Sequence, residues 1–334
     1  MAMRRMNELD LIDLVRKVFP QRGRGLALGI GDDCAAIRPA AGHELLMTTD
    51  TLVEGVHFSL ERTTPRQLGM KTAAVNLSDI AAMGGRPRFA LLSVSVTDDI
   101  GKKWMTSFLD GFKQAMSPSG CVLVGGNVSG ARKGGLFFTV TAIGEIKRGL
   151  RVDRTGARPG DTVFVTGTPG EAALGLDLLL QEKKSRDRGE KRLIARHNSP
   201  TARVEWGALL ASERIASAMI DVSDGVAMDL YRILKASGVR AEISLSAFPL
   251  SRETARAVAL SGDEAWKRIL SGGEDYELLF TVAPKNINRV ERLIAVGRIE
   301  AAPIGRISGK GAPRLDIEGV SGERLDLETL GWLH

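Results

Sequence analysis

The amino-acid sequence predicts an α/β (α+β) protein with two domains, and three observations support this prediction. The chain has 334 residues, which is more than a single hydrophobic core usually holds. β-rich runs alternate with helical stretches along both halves. The stretch KRGLRVDRTGARPGD, near residues 147–160, is rich in Arg and Gly and has no apolar period. We therefore expect domains at residues 1–150 and 151–334.

The first half is predicted to begin with a helix over residues 1–20, whose Leu and Ile residues supply an apolar face. A Gly- and Arg-rich loop follows and leads into the tight turn Gly29–Cys34. Helical composition over residues 65–83 ends at the glycine pair 84–85. The other elements predicted in this half are a short buried strand at 45–47 that ends in the polar residues 48–50, β-rich runs at 88–97, 121–124 and 136–146, and a helix at 104–116.

The second half is predicted to open with the strand Thr162–Thr166 and the helix Glu171–Gln181, joined by the turn Gly167–Gly170. A Gly-rich turn from strand to helix can hold phosphate, but this one matches neither the P-loop pattern nor the dinucleotide fingerprint. We interpret it as structural. Further helices are predicted at 191–197, 201–216 and 228–236, and further strands at 218–220 and 278–282.

Composition and charge restrict the class of function. Hydrophobic residues make up 43% and charged residues 26% of the chain, as in ordinary globular proteins. No apolar stretch approaches a membrane span, and the start MAMRRMNELDLIDLV carries too much charge for a signal peptide. Cys34 and Cys121 provide neither a disulfide framework nor a zinc site, which fits a cytoplasmic protein. The net charge of +6 comes from scattered residues, so anionic small substrates explain it better than nucleic acid.

Acidic turns lie at the ends of predicted elements in both halves. Their carboxylate and hydroxyl oxygens are ligands that Mg²⁺ prefers, usually together with substrate phosphates. Each turn alone also has a plain structural explanation as a hairpin turn, a strand end or a helix cap. The segments are GIGDDCA at 29–35, TTDTLVEGVHF at 48–58, NLSDIAAMG at 76–84, DVSDG at 221–225 and GGEDYEL at 272–278.

Two of these segments contain pairs of polar residues that need a bonding partner when they are buried. Asn76 and Asp79 lie three residues apart in an Ala-rich helix, and hence on one helix face. Buried polar groups need a partner because unpaired burial costs free energy. A metal or a ligand would supply it, and so would a hydrogen bond to a neighbouring loop. In the second half, a helix cap explains one of Asp221 and Asp224 but hardly both.

Motifs of other reaction classes are missing from the sequence. There is no CxxC, HExxH or Gly-x-Ser-x-Gly motif, and His57 has no nucleophile near it in sequence. This profile argues against acyl transfer and redox chemistry. It favours chemistry in which several Mg²⁺ ions hold phosphates.

Taken together, the five acidic segments resemble those of the thiamine-monophosphate kinases, a family of the aminoimidazole ribonucleotide synthetase-like superfamily. Their order and spacing match, and they span nearly the whole chain. The wider superfamily shares the acidic turns but not this set. The chain also lacks an N-terminal Cys that would suit a selenophosphate synthetase and the C-terminal Cys that HypE modifies.

The resemblance implies a synthetase-like fold in which the N-terminal domain pairs with its copy through its sheet, giving a homodimer, and an α/β domain follows. It implies ATP as co-substrate and several Mg²⁺ ions in the cleft between the domains. It also implies catalytic roles for Asp50, Asp79 and Asp224. Carried over by motif, the metal ligands are Asp33, Thr48, Thr49, Asp50, Asp79, Asn127, Asp221 and Asp224, the ATP contacts are Gly126, Asn127, Arg154 and Ser223, and the thiamine monophosphate contacts are His57, Glu274 and Trp332.

One position departs from the family pattern. Where the family often has Asp after the paired glycines, this chain has Asn127. Asn still offers Mg²⁺ a carbonyl oxygen, but one negative charge is lost.

The implied reaction is direct transfer of the ATP γ-phosphate to thiamine monophosphate, giving thiamine diphosphate and ADP. The acceptor is a phosphate monoester with a second pKa of roughly 6, so it is mostly a dianion at neutral pH and needs no general base. Positioning and charge neutralisation would supply most of the catalysis. Two alternatives stay open: another ATP-dependent synthetase of the superfamily, and a nucleotide-binding regulatory module without turnover.

Overall fold

A computed structural model describes residues 8–19, 21–97, 100–130, 135–181 and 187–319. The chain divides into two compact units. The first comprises Met1–Ile80 and Gly85–Gly149, and the second comprises Ala81–Gly84 and Leu150–His334. In the part of the chain that the structure describes, no helix combines the length and the apolar character that a membrane crossing requires.

The first unit contains a four-stranded sheet with the spatial order β3-β6-β4-β5. β4 and β5 are parallel, and the other neighbouring pairs are antiparallel. A short antiparallel pair, β1 and β2, precedes the sheet. The elements are α1 (Glu8–Val18), β1 (Leu26–Leu28), β2 (Ala36–Ile37), β3 (His43–Val53), α2 (Pro65–Ala82), β4 (Arg86–Val96), α3 (Lys102–Met116), β5 (Val122–Gly130) and β6 (Phe137–Lys147).

β3 forms one edge of this sheet and pairs with β6 along all of its 11 residues. Its side chains alternate between the two faces of the sheet because successive Cβ atoms of a strand point to opposite sides. Leu46 and Leu52 are buried on one face, whereas Met47, Thr49 and Thr51 are exposed on the other. The strand that was expected to end at Thr48–Asp50 continues to Val53, so these polar residues lie within β3 and are divided between its two faces.

α2 is buried around almost its whole circumference. Leu68, Ala73 and Ala74, on different sides of the helix, are each at most 2% exposed. A helix that is buried on all sides lies within a core. Asn76 and Asp79, two of its polar residues, are therefore placed against neighbouring elements of the protein, in the helix that the sequence predicted over 65–83.

The second unit contains a six-stranded sheet with the spatial order β12-β9-β11-β7-β10-β8. Only β12 and β9 are parallel among the neighbouring pairs described. The elements are β7 (Thr162–Thr166), α4 (Glu171–Leu180), α5 (Arg188–Asn198), α6 (Val204–Ser212), β8 (Ala216–Asp221), α7 (Val226–Ser237), β9 (Val239–Ser244), α8 (Arg252–Ser261), α9 (Asp263–Ser271), β10 (Leu278–Val282), α10 (Ile287–Ala295), β11 (Ala301–Lys310) and β12 (Arg314–Glu318).

The core of this unit forms where α7 packs on the sheet. Val163 of β7, Ile220 of β8, Leu279 of β10 and Leu230 of α7 belong to one cluster and are each at most 1% exposed. The burial of these side chains supplies most of the driving force for folding of the unit. It also fixes the ends of β8 and β10, where two of the acidic turns lie.

Most predicted elements are present within a few residues of their expected bounds. The predicted helix at 201–216 is shorter, because α6 ends at Ser212 and the apolar residues from Ala216 onward belong to β8. The strand β1, which lies in the segment predicted as a loop, was not predicted, and neither were the strands β9, β11 and β12 or the helices α8, α9 and α10. β9 alternates buried and more exposed residues over only six positions, which is too short a pattern to stand out in the sequence.

Candidate active site

The predicted polar residues of α2, Asn76 and Asp79, contact β3 at Asp50 and Thr48. Thr48 donates its hydroxyl proton to Oδ2 of Asp79 at 2.5 Å, and the main-chain N–H of Asp50 donates to Oδ1 of Asn76 at 3.1 Å. Asn76 also donates from Nδ2 to the Thr72 carbonyl at 3.3 Å. Thr48 and Asp50 lie two residues apart on one face of the strand, and Asn76 and Asp79 lie three residues apart on one face of the helix. These spacings bring the four oxygen-bearing side chains together.

Asp50 and Asp79 interact directly with each other. Burial is the largest cause that raises the pKa of Asp50 to about 6, and the charge of Asp79 and a hydrogen bond to it raise the pKa further. Two neighbouring carboxylates resist simultaneous ionisation because like charges repel. A divalent cation bound between their oxygens would remove this repulsion.

Thr49 lies on the opposite face of the sheet from Thr48 and Asp50. Its hydroxyl donates to the Val140 carbonyl at 3.0 Å and accepts from the hydroxyl of Thr141 at 3.2 Å. The structure therefore does not bring the Thr49 side chain together with the other predicted metal ligands. Its role as a ligand stays a prediction.

His57 lies in the turn that follows β3. Its Nδ1 accepts a hydrogen bond from the main-chain N–H of Val53 at 3.1 Å. A nitrogen that accepts carries no proton, so the neutral ring is protonated on Nε2. Lys71 of α2 is 1% exposed and donates from Nζ to the main-chain oxygen of His57 at 3.0 Å. The turn is thus fixed from two sides, and His57 is a hydrogen-bond donor through Nε2.

Gly126 and Asn127 lie on β5 beside β4. Gly126 has φ 154°, and a Cβ there would lie 1.9 Å from the Leu92 carbonyl oxygen, so a larger residue does not fit. Asn127 is exposed and donates from Nδ2 to the Ser129 hydroxyl at 2.9 Å. This contact uses the amide nitrogen, so Oδ1 is the atom with which Asn127 could bind a cation.

Asp33 and Trp332 are not brought into these contacts. Asp33 is exposed, and its main-chain N–H donates to Oδ1 of Asp32 at 2.9 Å. Across the described ranges, no hydrogen bond or ion pair joins Asp33 to Asp50 or Asp79. Trp332, predicted to contact thiamine, lies outside the described residues.

In the second unit the predicted residues of DVSDG form one short turn between β8 and α7. Asp221 is 3% exposed at the end of β8, and Ser223 and Asp224 are half-buried. The main-chain N–H groups of Ser223 and Asp224 both donate to Oδ2 of Asp229, each at 3.0 Å. Hydroxyl and carboxylate groups are therefore held on a turn whose backbone has a fixed conformation.

Asp229 and Arg232 of α7 complete this group. Nη1 of Arg232 donates to Oδ1 of Asp229 at 2.6 Å, and Nη2 pairs with Oδ2 of Asp224. Burial raises the pKa of Asp229 to about 6, although the Asp224 amide and the Arg232 charge favour its ionised form. The charge on Asp224 is thus balanced by a guanidinium within the same unit.

The acidic loop before β10 lies directly against this turn. Three main-chain hydrogen bonds of 2.8, 2.9 and 2.8 Å join residues 222–223 to residues 274–277. A Cβ at Gly273 would lie 2.1 Å from the Ser223 carbonyl oxygen, so only Gly permits this approach. Two acidic segments that are about fifty residues apart in sequence therefore form one structure.

Glu274 occupies a strained position in this loop. It has φ 67°, and Tyr276 has φ 51°, which is unusual for residues other than Gly. Oε2 of Glu274 lies 3.2 Å from Nδ1 of His197. Strain of this kind persists where the surrounding structure imposes it, and it occurs often at functional sites.

Asp275 fixes the loop to the start of α4. Its carboxylate accepts hydrogen bonds from the N–H groups of Gly170 at 2.7 Å and Ala172 at 3.1 Å. Burial raises the pKa of Asp275 to about 7, in spite of these two bonds. The amides after the Gly167–Gly170 turn thus bind a carboxylate of the protein itself, which confirms the structural interpretation of that turn.

Glu277 fixes the other end of the loop and is fully buried. It accepts from Nε of Arg203 at 2.7 Å, from Nη2 of Arg196 at 2.6 Å and from the Thr166 hydroxyl at 2.7 Å. Burial alone would raise the pKa of Glu277, but these partners lower it. Asp275 and Glu277 therefore serve the fold, and both follow the predicted substrate contact Glu274 directly in the chain.

Arg154 lies on an exposed segment before β7. Its main-chain oxygen accepts from the Ser237 hydroxyl at 3.2 Å. None of the hydrogen bonds or ion pairs described for this chain joins its guanidinium to the turn at 221–225. Its contact with ATP stays a prediction.

The donor atoms present fit Mg²⁺. Over the described residues, no group of three or more His, Cys, Asp or Glu side chains comes together to form a metal site. Each unit instead combines carboxylates with hydroxyl oxygens. Mg²⁺ keeps several waters and substrate phosphates in its coordination sphere and takes one or two carboxylates from the protein, whereas Zn²⁺ prefers Cys and His. The oxygens concerned belong to Thr48, Asp50 and Asp79 in the first unit and to Asp221, Ser223 and Asp224 in the second.

Several residues of the site were not assigned from the sequence. Lys71 is a charged residue in a helix of small and apolar residues, and this contrast could have indicated it. Asp229 and Arg232 have the spacing of an ion pair on one helix face, which is a weak signal. The approach of His197 to Glu274 depends on tertiary packing, and no spacing in the sequence indicates it.

Comparison with known proteins defines the class first. The family model described as the N-terminal domain of AIR synthase related proteins matches residues 31–146, and the model of the C-terminal domain matches residues 158–318. The two domains are thus those of an AIR synthase related protein, in agreement with the predicted fold class.

Full-length relatives then define the family. The thiamine-monophosphate kinase of Aquifex aeolicus (strain VF5) is 36% identical over 334 residues, which cover 100% of each chain. The crystal structure of the thiamine-monophosphate kinase from Stenotrophomonas maltophilia K279a has a TM-score of 0.83 at 35% identity and covers 95% of this chain and 98% of that one. The structure of AaThiL complexed with AMPPCP and TMP has a TM-score of 0.77 at 35% identity and covers 100% of both. The chain belongs to the thiamine-monophosphate kinase family, which confirms the resemblance carried by the acidic segments.

Proposed function

We propose that this protein transfers the γ-phosphate of ATP directly to thiamine monophosphate, forming thiamine diphosphate and ADP in thiamine biosynthesis. The observation that carries the proposal is the hydrogen bonding of β3 to α2, Thr48 to Asp79 and Asp50 to Asn76, which groups two carboxylates in a chain whose full-length relatives are kinases of this name. AaThiL binds AMPPCP and TMP, and we extend an ATP site and a thiamine monophosphate site to this chain.

The protein's task in this reaction is to hold two polyanions together. The acceptor is already mostly a dianion at neutral pH, so no side chain needs to remove a proton. This agrees with the tautomer of His57, whose unprotonated Nδ1 is occupied by the Val53 N–H. In-line alignment and charge stabilisation then supply the rate enhancement.

The carboxylates would act by binding Mg²⁺. When bound, Mg²⁺ would supply positive charge that neutralises the substrate phosphates. Asp50 and Asp79 form a ready pair, because their mutual repulsion disfavours the ion-free state. The full set of ligands that we propose is Asp33, Thr48, Thr49, Asp50, Asp79, Asn127, Asp221 and Asp224, with Asp50, Asp79 and Asp224 most directly involved in catalysis.

The two substrates are assigned to different side chains. Thiamine carries a positive thiazolium ring, which the carboxylate of Glu274 would complement, and Nε2–H of His57 would donate to an acceptor on thiamine monophosphate. Trp332 remains our candidate for contact with the thiamine ring. The ATP contacts that we propose are Gly126, Asn127, Arg154 and Ser223.

The first unit would also mediate homodimerisation. Met47 is 68% and Leu45 41% exposed on the open face of the edge strand β3, and Ile143 of β6 lies opposite Met47 on the same face. An edge strand with an apolar face is usually covered by another chain or element. A two-fold symmetric dimer would place this same patch of each copy against the other. We assign the ATP, Mg²⁺ and dimer contacts of this domain to residues 1–150 and the second α/β domain to 151–334.

We place the protein in the cytoplasm. Both cysteines are free, Cys34 being exposed and Cys121 buried. An exposed free thiol fits a reducing compartment. ATP as a co-substrate fits the same location.

The deciding experiment measures thiamine diphosphate formed from ATP and thiamine monophosphate, with Mg²⁺ and with EDTA. We expect stoichiometric thiamine diphosphate and ADP that depend on Mg²⁺, without a phosphorylated enzyme. ADP release with another acceptor only would indicate a different synthetase of the superfamily. Binding of ATP without any ADP release would indicate a regulatory module.

A further inference from the structure

The turn that carries Ser223 and Asp224 is fixed by a residue outside the motif. Asp229 lies in the first turns of α7 and is 0% exposed. Its Oδ2 accepts the main-chain N–H groups of both Ser223 and Asp224, each at 3.0 Å. One carboxylate oxygen therefore determines the direction of two consecutive peptide planes of the turn.

Arg232 connects this buried carboxylate to the side chain of Asp224. Its Nη1 donates to Oδ1 of Asp229 at 2.6 Å, and its Nη2 pairs with Oδ2 of Asp224. The planar guanidinium can bind two carboxylates at once from fixed directions, which the single ammonium of Lys does less well. Because Arg232 engages Oδ2, Oδ1 of Asp224 is the oxygen that can bind a cation.

Stabilisation of the helix does not explain this arrangement. A carboxylate near the start of a helix is favourable, and this accounts for Asp229. The guanidinium of Arg232, however, reaches back to the N-terminal end of α7, where positive charge is unfavourable to the helix dipole. Its position is explained by the carboxylates that it joins.

We propose that Asp229 and Arg232 are positioning residues for the nucleotide and Mg²⁺ contacts of the second unit. Asp229 fixes the backbone of Ser223 and Asp224, and Arg232 fixes the carboxylate of Asp224. The inference rests on the proposed function, in which Ser223 contacts ATP and Asp224 binds Mg²⁺. Loss of a partner that orients a metal ligand typically weakens metal binding or activity about 10- to 100-fold.

The test compares the full-length variants Arg232→Gln, Arg232→Lys and Asp229→Asn with the wild type. Binding of AMPPCP in the presence of Mg²⁺ is measured by calorimetry, and thermal unfolding is measured without ligand. Arg289→Gln is the matched control, since Arg289 pairs with Glu213 on the surface and both side chains are 45–50% exposed. It removes the same charge from the same unit.

We expect Arg232→Gln to weaken AMPPCP binding by about 10- to 100-fold at a temperature where the unliganded variant is folded, and to melt below the control because the buried Asp229 loses a partner. Arg232→Lys should recover part of this loss. The KM for ATP should rise more than the KM for thiamine monophosphate, a difference that general loss of structure would not produce.

Binding by Arg232→Gln within threefold of both the wild type and Arg289→Gln would overturn the inference while leaving the proposed function intact. If the wild type itself does not bind AMPPCP with Mg²⁺, the proposed function and this inference both fail. Should Asp229→Asn not fold, the two Arg232 variants decide the result.

Discussion

Asp50 on β3 and Asp79 on α2 place two carboxylates close enough to interact, and their mutual repulsion opposes the ion-free fold at neutral pH. Burial, and then the charge of Asp79, raise the pKa of Asp50 from 3.8 to about 6. The folded state therefore holds this proton more tightly than the unfolded state. The resulting stability is fully present below pH 3.8 and is lost as the pH rises through about 6.

The variant Asp50→Asn is expected to stabilise the protein in EDTA. At pH 8 the neutral amide removes the repulsion, and we expect a gain of about 1–2 kcal/mol in the free energy of unfolding, after allowance for partial exposure. At pH 4 the gain should be much smaller, because Asp50 of the wild type is then mostly protonated when folded. Urea unfolding at both pH values measures this. Asp110→Asn, on the exposed side of α3, is the control, and a destabilised Asp50→Asn protein at pH 8 would contradict the argument.

Removal of either carboxylate is expected to remove turnover. Asp50→Ala or Asp79→Ala should lower kcat by at least about 100-fold, since catalysis of phosphoryl transfer depends on charge stabilisation. Thiamine diphosphate formation measures the rate, and circular dichroism checks that the fold is kept. Near-normal activity in either variant would count strongly against the metal assignment.

His57 is expected to act through Nε2. His57→Gln places an amide N–H close to the position of Nε2, whereas His57→Asn places its amide near Nδ1. We expect the KM for thiamine monophosphate to rise less than about threefold for Gln and about tenfold or more for Asn, as for loss of one hydrogen bond. His43→Gln is the control, since Nδ1 of His43 lies 3.0 Å from the Ala41 carbonyl oxygen, in a contact unrelated to the site. The reverse order of the two His57 variants would show that Nδ1 contacts the substrate.

Restoring the family's charge at position 127 is expected to improve Mg²⁺ binding. Asn127→Asp adds a carboxylate oxygen, and the Mg²⁺ concentration that gives half-maximal activity should fall roughly threefold to tenfold. Gln114→Glu, on the exposed surface of α3, adds the same charge elsewhere as a control. An unchanged Mg²⁺ requirement in Asn127→Asp would mean that this residue is not a ligand.

The open face of β3 is expected to be the dimer contact. Met47→Glu places a charge in the centre of the apolar patch, and burial of that charge would be costly. Light scattering coupled to gel filtration should change from dimer mass for the wild type to monomer mass for the variant. Leu260→Glu changes a residue that is 75% exposed on α8 and should leave the mass unchanged. A dimer that persists in Met47→Glu would place the interface elsewhere.

Local spacing was sufficient to predict much of the site. Asn76 and Asp79 lie on one helix face as their separation required, and the DVSDG and GGEDYEL segments lie at the ends of strands β8 and β10. The resemblance to the family motif did not indicate the direction of the Thr49 side chain. Adjacent residues of a strand point to opposite faces, so Thr48 and Thr49 cannot both direct their side chains to α2.

Contacts between distant segments could not be predicted in this way. Lys71 reaches the His57 carbonyl because α2 is buried beside the turn after β3, and Arg232 reaches Asp224 because the turn before α7 folds back on the helix. Such contacts depend on the path of the backbone, which a single sequence does not specify. The strands β9, β11 and β12 were missed for a related reason, since their pairing partners rather than their composition make them strands.

The backbone hydrogen bonds between residues 222–223 and 274–277 hold together the two ends of the intervening segment. α7, α8 and α9 lie within this segment. Its two ends are joined by main-chain atoms and not by side chains. The cost of lengthening a loop grows only slowly with its length. Exposed positions near Gly262, at the junction of α8 and α9, are therefore suited to insertion of a reporter peptide, which would leave the geometry of both acidic segments unchanged.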